Sequence, residues 1–499
     1  MKMNKIYKSL GLLLALSLFS SCYKDHSVNG DHPLAVVKVT EPIASVQTAA
    51  FGEVTVIKSP AYTITTGASV TPSYEWIVDG VVVSTEKDLS YSPTSYGKHD
   101  ARLRMYTPDG SYFYRFTIDV PYRYVDGLYV LASNEGKTIL SYLPGGEKTD
   151  AFDLDAFGRS NPTIDMTGDP QSMLFYRYVP GAGASRSYLG IALGLPTRYY
   201  RVSADSLKVL SPRISFTNPV DFSHASGNQA TVREYFISGA NVWEMERSAN
   251  VPAKKHDKYL SPVAPGYSLA SAIVNWRALT GTRISEGMAF FDNAGSNLLY
   301  MILGSRVTVK KVRTFAASAF PGGAPEETNP FEGMTLIDMK SAGEGNYTYN
   351  YTLLLLKRNS DSKYFVARLT AGDFTQSQSV DGATVSMVEF TEGTPTHLMP
   401  NLGGTAALVA TADKVYFYNM ANTTATTHPA WISLPAGQTI ASMALTSDNR
   451  LFIGANGTGT GLVGSIYSYN VAGITPVLLK SEEGITGKIK QIVYRQFNN

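Results

Sequence analysis

Residues 440–480 read IASMALTSDNRLFIGANGTGTGLVGSIYSYNVAGITPVLLK. Four runs rich in apolar, β-branched and aromatic residues stand out: Ile440–Thr446, Arg450–Ala455, Ser465–Val471 and Pro476–Lys480. Asp-Asn, a glycine-rich stretch and Ala-Gly separate them. Runs of this length bounded by turn residues are strands, and four with short connections make an antiparallel meander. The pattern recurs. Thr405–Ala410, Lys414–Tyr418 and Ala430–Leu434 precede it, and further units begin near Gly127, Ser172, Arg233, Gly287 and Gly333. No convincing long helix interrupts the chain from Tyr122 onward. Four-stranded units repeated radially build a β-propeller, which leaves only short protected edges. The expectation for 122–499 is therefore a propeller-like domain of about seven blades, with six or eight also compatible.

The two ends of this region fit a closed ring. Lys488–Arg495 follows a complete unit and has no blade of its own. The first unit has three strand candidates, Gly127–Ala132, Lys137–Tyr142 and Lys148–Leu154. The C-terminal strand is expected to supply the innermost strand of that first blade.

Composition agrees with an all-β globular chain. Of 499 residues 44% are apolar and 17% charged, with 43 Gly, 31 Tyr and 21 Phe. This excludes a disordered acidic chain and a coiled coil. A single cysteine rules out an internal disulfide and any multi-cysteine metal cluster. Residues 1–21 have the form of an export signal: Lys2, Lys5 and Lys8, then an apolar run from Leu10 to Phe19 that is too short to span a bilayer. Without those three lysines the balance is 40 basic against 41 acidic residues. The mature chain is not basic, and no Lys/Arg run points to nucleic acid.

The one cysteine ends the stretch Leu18-Phe19-Ser20-Ser21-Cys22, which resembles a bacterial lipobox. That resemblance implies lipidation at Cys22, cleavage just before it, and anchorage by several acyl chains, which is stable where one chain is marginal. Tyr23-Lys24-Asp25 resembles the surface-export signals of Bacteroidetes lipoproteins and implies the outer face of the outer membrane. Residues 22–32 are a polar tether. Residues 33–121 alternate as a β-sandwich does, with turns at Asp79-Gly80, Ser92-Pro93 and Pro108-Asp109-Gly110. Tyr74-Glu75-Trp76-Ile77-Val78-Asp79-Gly80 and the segment from Tyr96 to Met105 resemble polycystic-kidney-disease (PKD) and related immunoglobulin-like domains. In such domains the Trp is a core anchor, so Trp76 is expected in the core.

Local catalytic motifs do not survive their context. Gly459 to Gly464 matches G-x-G-x-x-G, but a strand pattern follows where a phosphate site needs a helix N-terminus. Ser360 to Lys363 matches S-x-x-K, but it falls in a hairpin turn rather than on a helix. Asp153 to Gly158 lacks the oxygen ligands of a calcium loop and reads as a surface strand end. None of the seven histidines pairs at i+4. No metal or cofactor is implied.

The aromatic residues of the ring remain. Trp243, Trp276 and Trp431, with Tyr347, Tyr349 and Tyr351, are candidate ligand-binding residues. Flat rings stack on sugars, and the same side chains also serve as packing between blades. The order of lipobox, PKD-like sandwich and propeller-like region resembles PKD-like lipoproteins of Bacteroidetes. That resemblance implies a non-enzymatic surface protein that binds a glycan, peptide or partner protein beside an outer-membrane transporter in nutrient uptake. The alternatives are a propeller hydrolase or lyase acting on polysaccharide or peptide, and an assembly scaffold.

Overall fold

The computed structural model describes residues 34–64, 70–145, 152–178, 186–194, 198–210, 214–215, 224–225, 233–238, 241–246, 268–280, 283–302, 308–316, 326–342, 351–370, 379–380, 384–401, 406–420 and 428–496. The leader over residues 1–21, Cys22, the tether to His32, and Tyr347 and Tyr349 lie outside these residues. Among the described residues no helix is long and apolar enough to cross a membrane. The chain divides between Pro121 and Tyr122 into two units.

In the first unit five strands lie side by side in the order Val46–Thr48, Gly110–Val120, Gly97–Thr107, Ser73–Val78, Val81–Ser84. Two ribbons complete it, Val37–Glu41 with Ala61–Ile64 and Thr55–Ile57 with Leu89–Tyr91. Gly97–Thr107 shows why the sheet has a wet face: His99, Ala101, Leu103, Met105 and Thr107 are buried, and the residues between them are not. That is the strand period of two with one face covered. The covered face joins both ribbons in one apolar cluster. Trp76 is 1% exposed at its centre. Its Nε1–H donates to the Glu86 carbonyl at 2.9 Å, and its ring meets Phe116 edge-on at 6.1 Å. Asp79 and Gly80 both have positive φ, 49° and 81°, the tight hairpin geometry expected of Asp-Gly.

Among the described residues the second unit is a succession of seven small sheets, with one further two-stranded ribbon, Thr314–Ala316 with Glu326–Thr328. The first joins Lys137–Pro144, Gly127–Asn134 and the C-terminal strand Lys488–Arg495, so the end of the chain pairs with the beginning of the unit. The leading strands of the seven sheets are Lys488–Arg495, Asp169–Tyr178, His224–Ala225, Leu269–Thr280, Met334–Ala342, His397–Pro400 and Thr439–Leu445. Each packs against the next, and the last packs against the first. The cycle is closed and propeller-like.

The second strand of each sheet explains the core. Tyr351–Arg358, Ala406–Ala410 and Arg450–Asn456 are apolar runs buried on both faces. Alternation then sends successive side chains to opposite neighbours. Leu354 and Leu356 join the cluster shared with the fourth sheet, whereas Tyr351, Leu353 and Leu355 join the cluster shared with the sixth. Leu128 and Val130 face the seventh sheet, and Tyr129 and Leu131 face the second. Among the described residues the inter-sheet clusters are thus a single device repeated from the fourth sheet round to the second.

Several strand expectations need correction. Arg233, Gly287 and Thr405 fall on or beside second strands, and the leading strands before them begin at His224, Leu269 and His397. Of the expected third strand Lys148–Leu154, residues 148–151 lie outside the described residues. Asp153 makes one bridge to Tyr142, and a short helix, Ala156–Ser160, follows, capped by the Asp155 carboxylate, which accepts from the Gly158 N–H at 2.9 Å. Nor is Asp153 at the surface. It is 3% exposed, with Arg159 at 3.0 Å and the Tyr124 hydroxyl at 3.2 Å.

Candidate functional site

Four leading strands carry a one-residue bulge, at Gln171, Ile337, Ala441 and Lys490. A bulge redirects the side chain that follows it. Those residues are Ser172, Asp338, Ser442 and Gln491, all polar. Three of them accept a hydrogen bond from a main-chain N–H of the next leading strand: Asp338 from Leu398 at 3.0 Å, Ser442 from Ile492 at 3.1 Å, Gln491 from Met173 at 2.7 Å. The innermost strand of each sheet has an unpaired edge, and these clips satisfy its donors.

The inner strands also bring His397, Asp338, Lys340 and Lys490 into one electrostatic neighbourhood. Burial pushes the His397 imidazole below its ordinary value. Lys340 and Lys490 act in the same direction, and Asp338 and the Ala441 carbonyl oppose them. Asp338 has little capacity left for chemistry. One carboxylate oxygen takes the Met339 N–H at 2.8 Å and Lys340 at 3.3 Å, and the other takes Leu398. Among the described residues no group of three His, Cys, Asp or Glu is placed to hold a metal ion.

A second arrangement lies at the outer edge of the sixth sheet. Trp431 is half-buried, and its ring lies 5.3 Å from that of Phe417, which is 37% exposed. The Trp431 Nε1–H donates to the Ile474 carbonyl of the seventh sheet's outer loop at 2.7 Å. This tie fixes the indole while leaving aromatic surface in water. Behind it, Glu392 accepts from the Tyr418 hydroxyl and from the His428 main-chain N–H, the latter at 2.8 Å. Burial opposes ionisation of Glu392, but these hydrogen bonds prevail and hold the carboxyl below its usual range.

The other aromatic candidates are placed differently. Tyr351 is 3% exposed in the cluster between the fifth and sixth sheets, with the Arg368 guanidinium 4.9 Å from its ring centre. It packs rather than presenting a face. Trp243 pairs with Phe236 in the third sheet, and Trp276 pairs with Gly287 in the fourth. Asp338, His397, Ser442, Gln491 and Phe417 were not singled out from sequence. The signal of the first four is a polar residue followed by Met, Leu or Ile, as at Ser172-Met173, Asp338-Met339, His397-Leu398, Ser442-Met443 and Gln491-Ile492. Two residues recurring at blade spacing are too short a pattern to notice without the ring.

No family model and no curated protein matches the chain. Solved structures similar to it include a quinonprotein alcohol dehydrogenase-like protein from Bacteroides thetaiotaomicron, at 14% identity and TM-score 0.44, covering 92% of this chain and 99% of that one. A DUF4784 family protein from Bacteroides caccae has 8% identity and TM-score 0.33, covering 93% and 100%. The WD40 domain of SCAP from fission yeast has 7% identity and TM-score 0.33, covering 57% and 60%. None of these likenesses transfers a residue role or a reaction.

Proposed function

We propose that this chain is a non-enzymatic outer-membrane lipoprotein of the cell surface that captures carbohydrate beside a nutrient transporter. Cys22 is its lipid anchor, a PKD-like sandwich over residues 33–121 is its stalk, and a seven-bladed propeller over 122–499 is its binding body. The observation that carries the binding reading is the Phe417–Trp431 pair, half in water and held by the Ile474 carbonyl. A rigid pair of rings offers an apolar face to the CH groups of a sugar at little entropic cost. The site is at the outer edge between two blades rather than at the mouth of the ring.

The hydrolase alternative has less support. A glycosidase needs two carboxyl groups flanking the bond. Among the described residues of the leading strands the acids are Asp169 and Asp338, and Asp338 is committed to the Leu398 clip.

Affinity gel electrophoresis of residues 23–499 against neutral plant and host polysaccharides tests the proposal. Retention by at least one polysaccharide is expected, with Trp431→Ala and Phe417→Ala each removing most of it. The absence of retention on every polysaccharide would sink the carbohydrate reading and favour a protein partner.

A further inference from the structure

The wet face of the first unit's five-stranded sheet carries an arrangement that folding alone does not favour. Arg102 and Arg115 are directly opposite each other on neighbouring strands. Like charges in that relation repel and cost stability. Among the described residues neither has an ion pair, and the Arg102 Nε is buried without a hydrogen-bond partner. The row continues across the sheet, since Ile77 pairs with Arg102 and Val82 pairs with Ile77. Val82 is 49% exposed. Two guanidinium groups and two aliphatic side chains therefore form one strip across four strands, about 14 Å wide at the usual strand spacing.

The next rung supports a third arginine. Arg104 pairs opposite Phe113, and its guanidinium lies 4.7 Å from the ring centre of Tyr106 and 5.8 Å from that of Phe113. Glu75 holds it at 3.3 Å. The acids of this face thus lie off the strip: Glu75 on the Arg104 rung, and on the other side Asp100, opposite Thr117, and Asp119, opposite Lys98. The mature chain is close to neutral, so the cationic character belongs to this strip and not to the protein as a whole.

We propose that this strip binds a linear polysaccharide carrying sulfate or carboxylate groups, at a site separate from the propeller's aromatic pair. Arg102 and Arg115 supply forked donors that match such anions, and binding an anion relieves their mutual repulsion. Ile77 and Val82 receive the CH face of the same chain. The flanking acids select a narrow ligand. A single polymer chain crosses only the arginine rung, whereas an anionic lipid surface would press on Glu75 and Asp100 as well.

The test uses purified residues 23–499 with dextran sulfate, neutral dextran, and phosphatidylglycerol vesicles. Dextran sulfate binds, neutral dextran does not, and binding weakens as salt rises. Arg102→Gln and Arg115→Gln each weaken dextran sulfate binding about tenfold, the scale of losing a charge-assisted hydrogen bond. Both variants keep or raise the melting temperature, which separates loss of binding from loss of fold. Lys98→Gln, two rungs away opposite Asp119, leaves binding unchanged. Trp431→Ala and Phe417→Ala also leave it unchanged, so this site and the propeller site fail independently. The proposal is overturned if dextran sulfate does not bind, if neutral dextran binds equally, or if neither arginine variant matters. It is also overturned if vesicles bind through these arginines and dextran sulfate does not.

Discussion

His99 shows how much of a residue's behaviour lies in its partners. It is 6% exposed on the covered, mostly apolar face, with Nδ1 at 2.6 Å from the Asp79 carboxylate and Nε2 at 3.0 Å from the Ser95 carbonyl. Both neighbours accept, so the doubly protonated ring is the form that satisfies both. The Asp79 hydrogen bond raises the imidazole above its ordinary value of 6.5, against the effect of burial. A raised folded-state pKa contributes stability that is fully present below the unfolded value and lost as pH rises through the folded one. The first unit is therefore expected to melt at progressively lower temperature as pH climbs above about 6.5. Asp79→Asn flattens this dependence. Asparagine tolerates the positive φ at this position and keeps an acceptor for the Asp100 N–H, which the carboxylate takes at 3.0 Å, but it removes the charge. Melting curves of the first unit's transition from pH 5 to 9 check it, and a pH slope that survives Asp79→Asn would exclude this pair as its source. Sequence alone placed Trp76 in the core, because the segment around it carries the resemblance in which the Trp is a core anchor. It could not pair His99 with Asp79, which the pairing of Ser73–Val78 with Gly97–Thr107 brings together.

At the scale of elements, legibility followed burial. Second strands such as Ala406–Ala410 and Arg450–Asn456 are covered on both faces, so they stand out as apolar runs between turns. Leading strands mix polar and apolar residues and are broken by bulges, which erase the period of two. His397–Pro400 is only four residues long, and Leu269–Thr280 is irregular between Leu269 and Ile273, so neither presents a full alternating run. The polar residues after the bulges have a structural task that their own strand does not reveal, because the donor they satisfy belongs to the next sheet. Ser442→Ala tests this task directly. It removes the acceptor for the buried Ile492 N–H and leaves that group unsatisfied. The expected loss is about 1–3 kcal/mol of stability, the cost of an unmet buried donor. Urea titration measures it, and a change under about 0.5 kcal/mol, the range of ordinary surface substitutions, would mean the clip is dispensable.

For the whole second unit, the decisive element is the last strand. Closure was legible as a matter of counting, because one strand was left over and the sheet starting at Gly127 was short of one. Lys488–Arg495 now pairs with Gly127–Asn134 and does more than pair. Ile489 and Ile492 are 3% and 2% exposed in the cluster between the seventh and first sheets. At about 1.5–3 kcal/mol for each fully buried branched side chain, those two alone contribute about 3–6 kcal/mol. Asn456 grips the strand reciprocally, donating to the Ile489 carbonyl at 2.9 Å and accepting from its N–H at 2.7 Å. Arg495 pairs with Asp205 and donates to the Tyr124 carbonyl at 2.8 Å, and Gln491 clips Met173 of the second sheet. The strand therefore touches sheets from both ends of the unit, and its loss opens the ring rather than fraying an end. Deleting Lys488 to Asn499 is expected to remove the cooperative melting transition of the second unit, or lower it by well over 10 °C given a change of roughly 2–4 °C per kcal/mol for large domains. The first unit, on its side of Pro121, keeps its own transition and serves as the internal reference. An unchanged second transition in calorimetry would show that the ring does not depend on this closure, and that the seven sheets hold one another through the clusters between them.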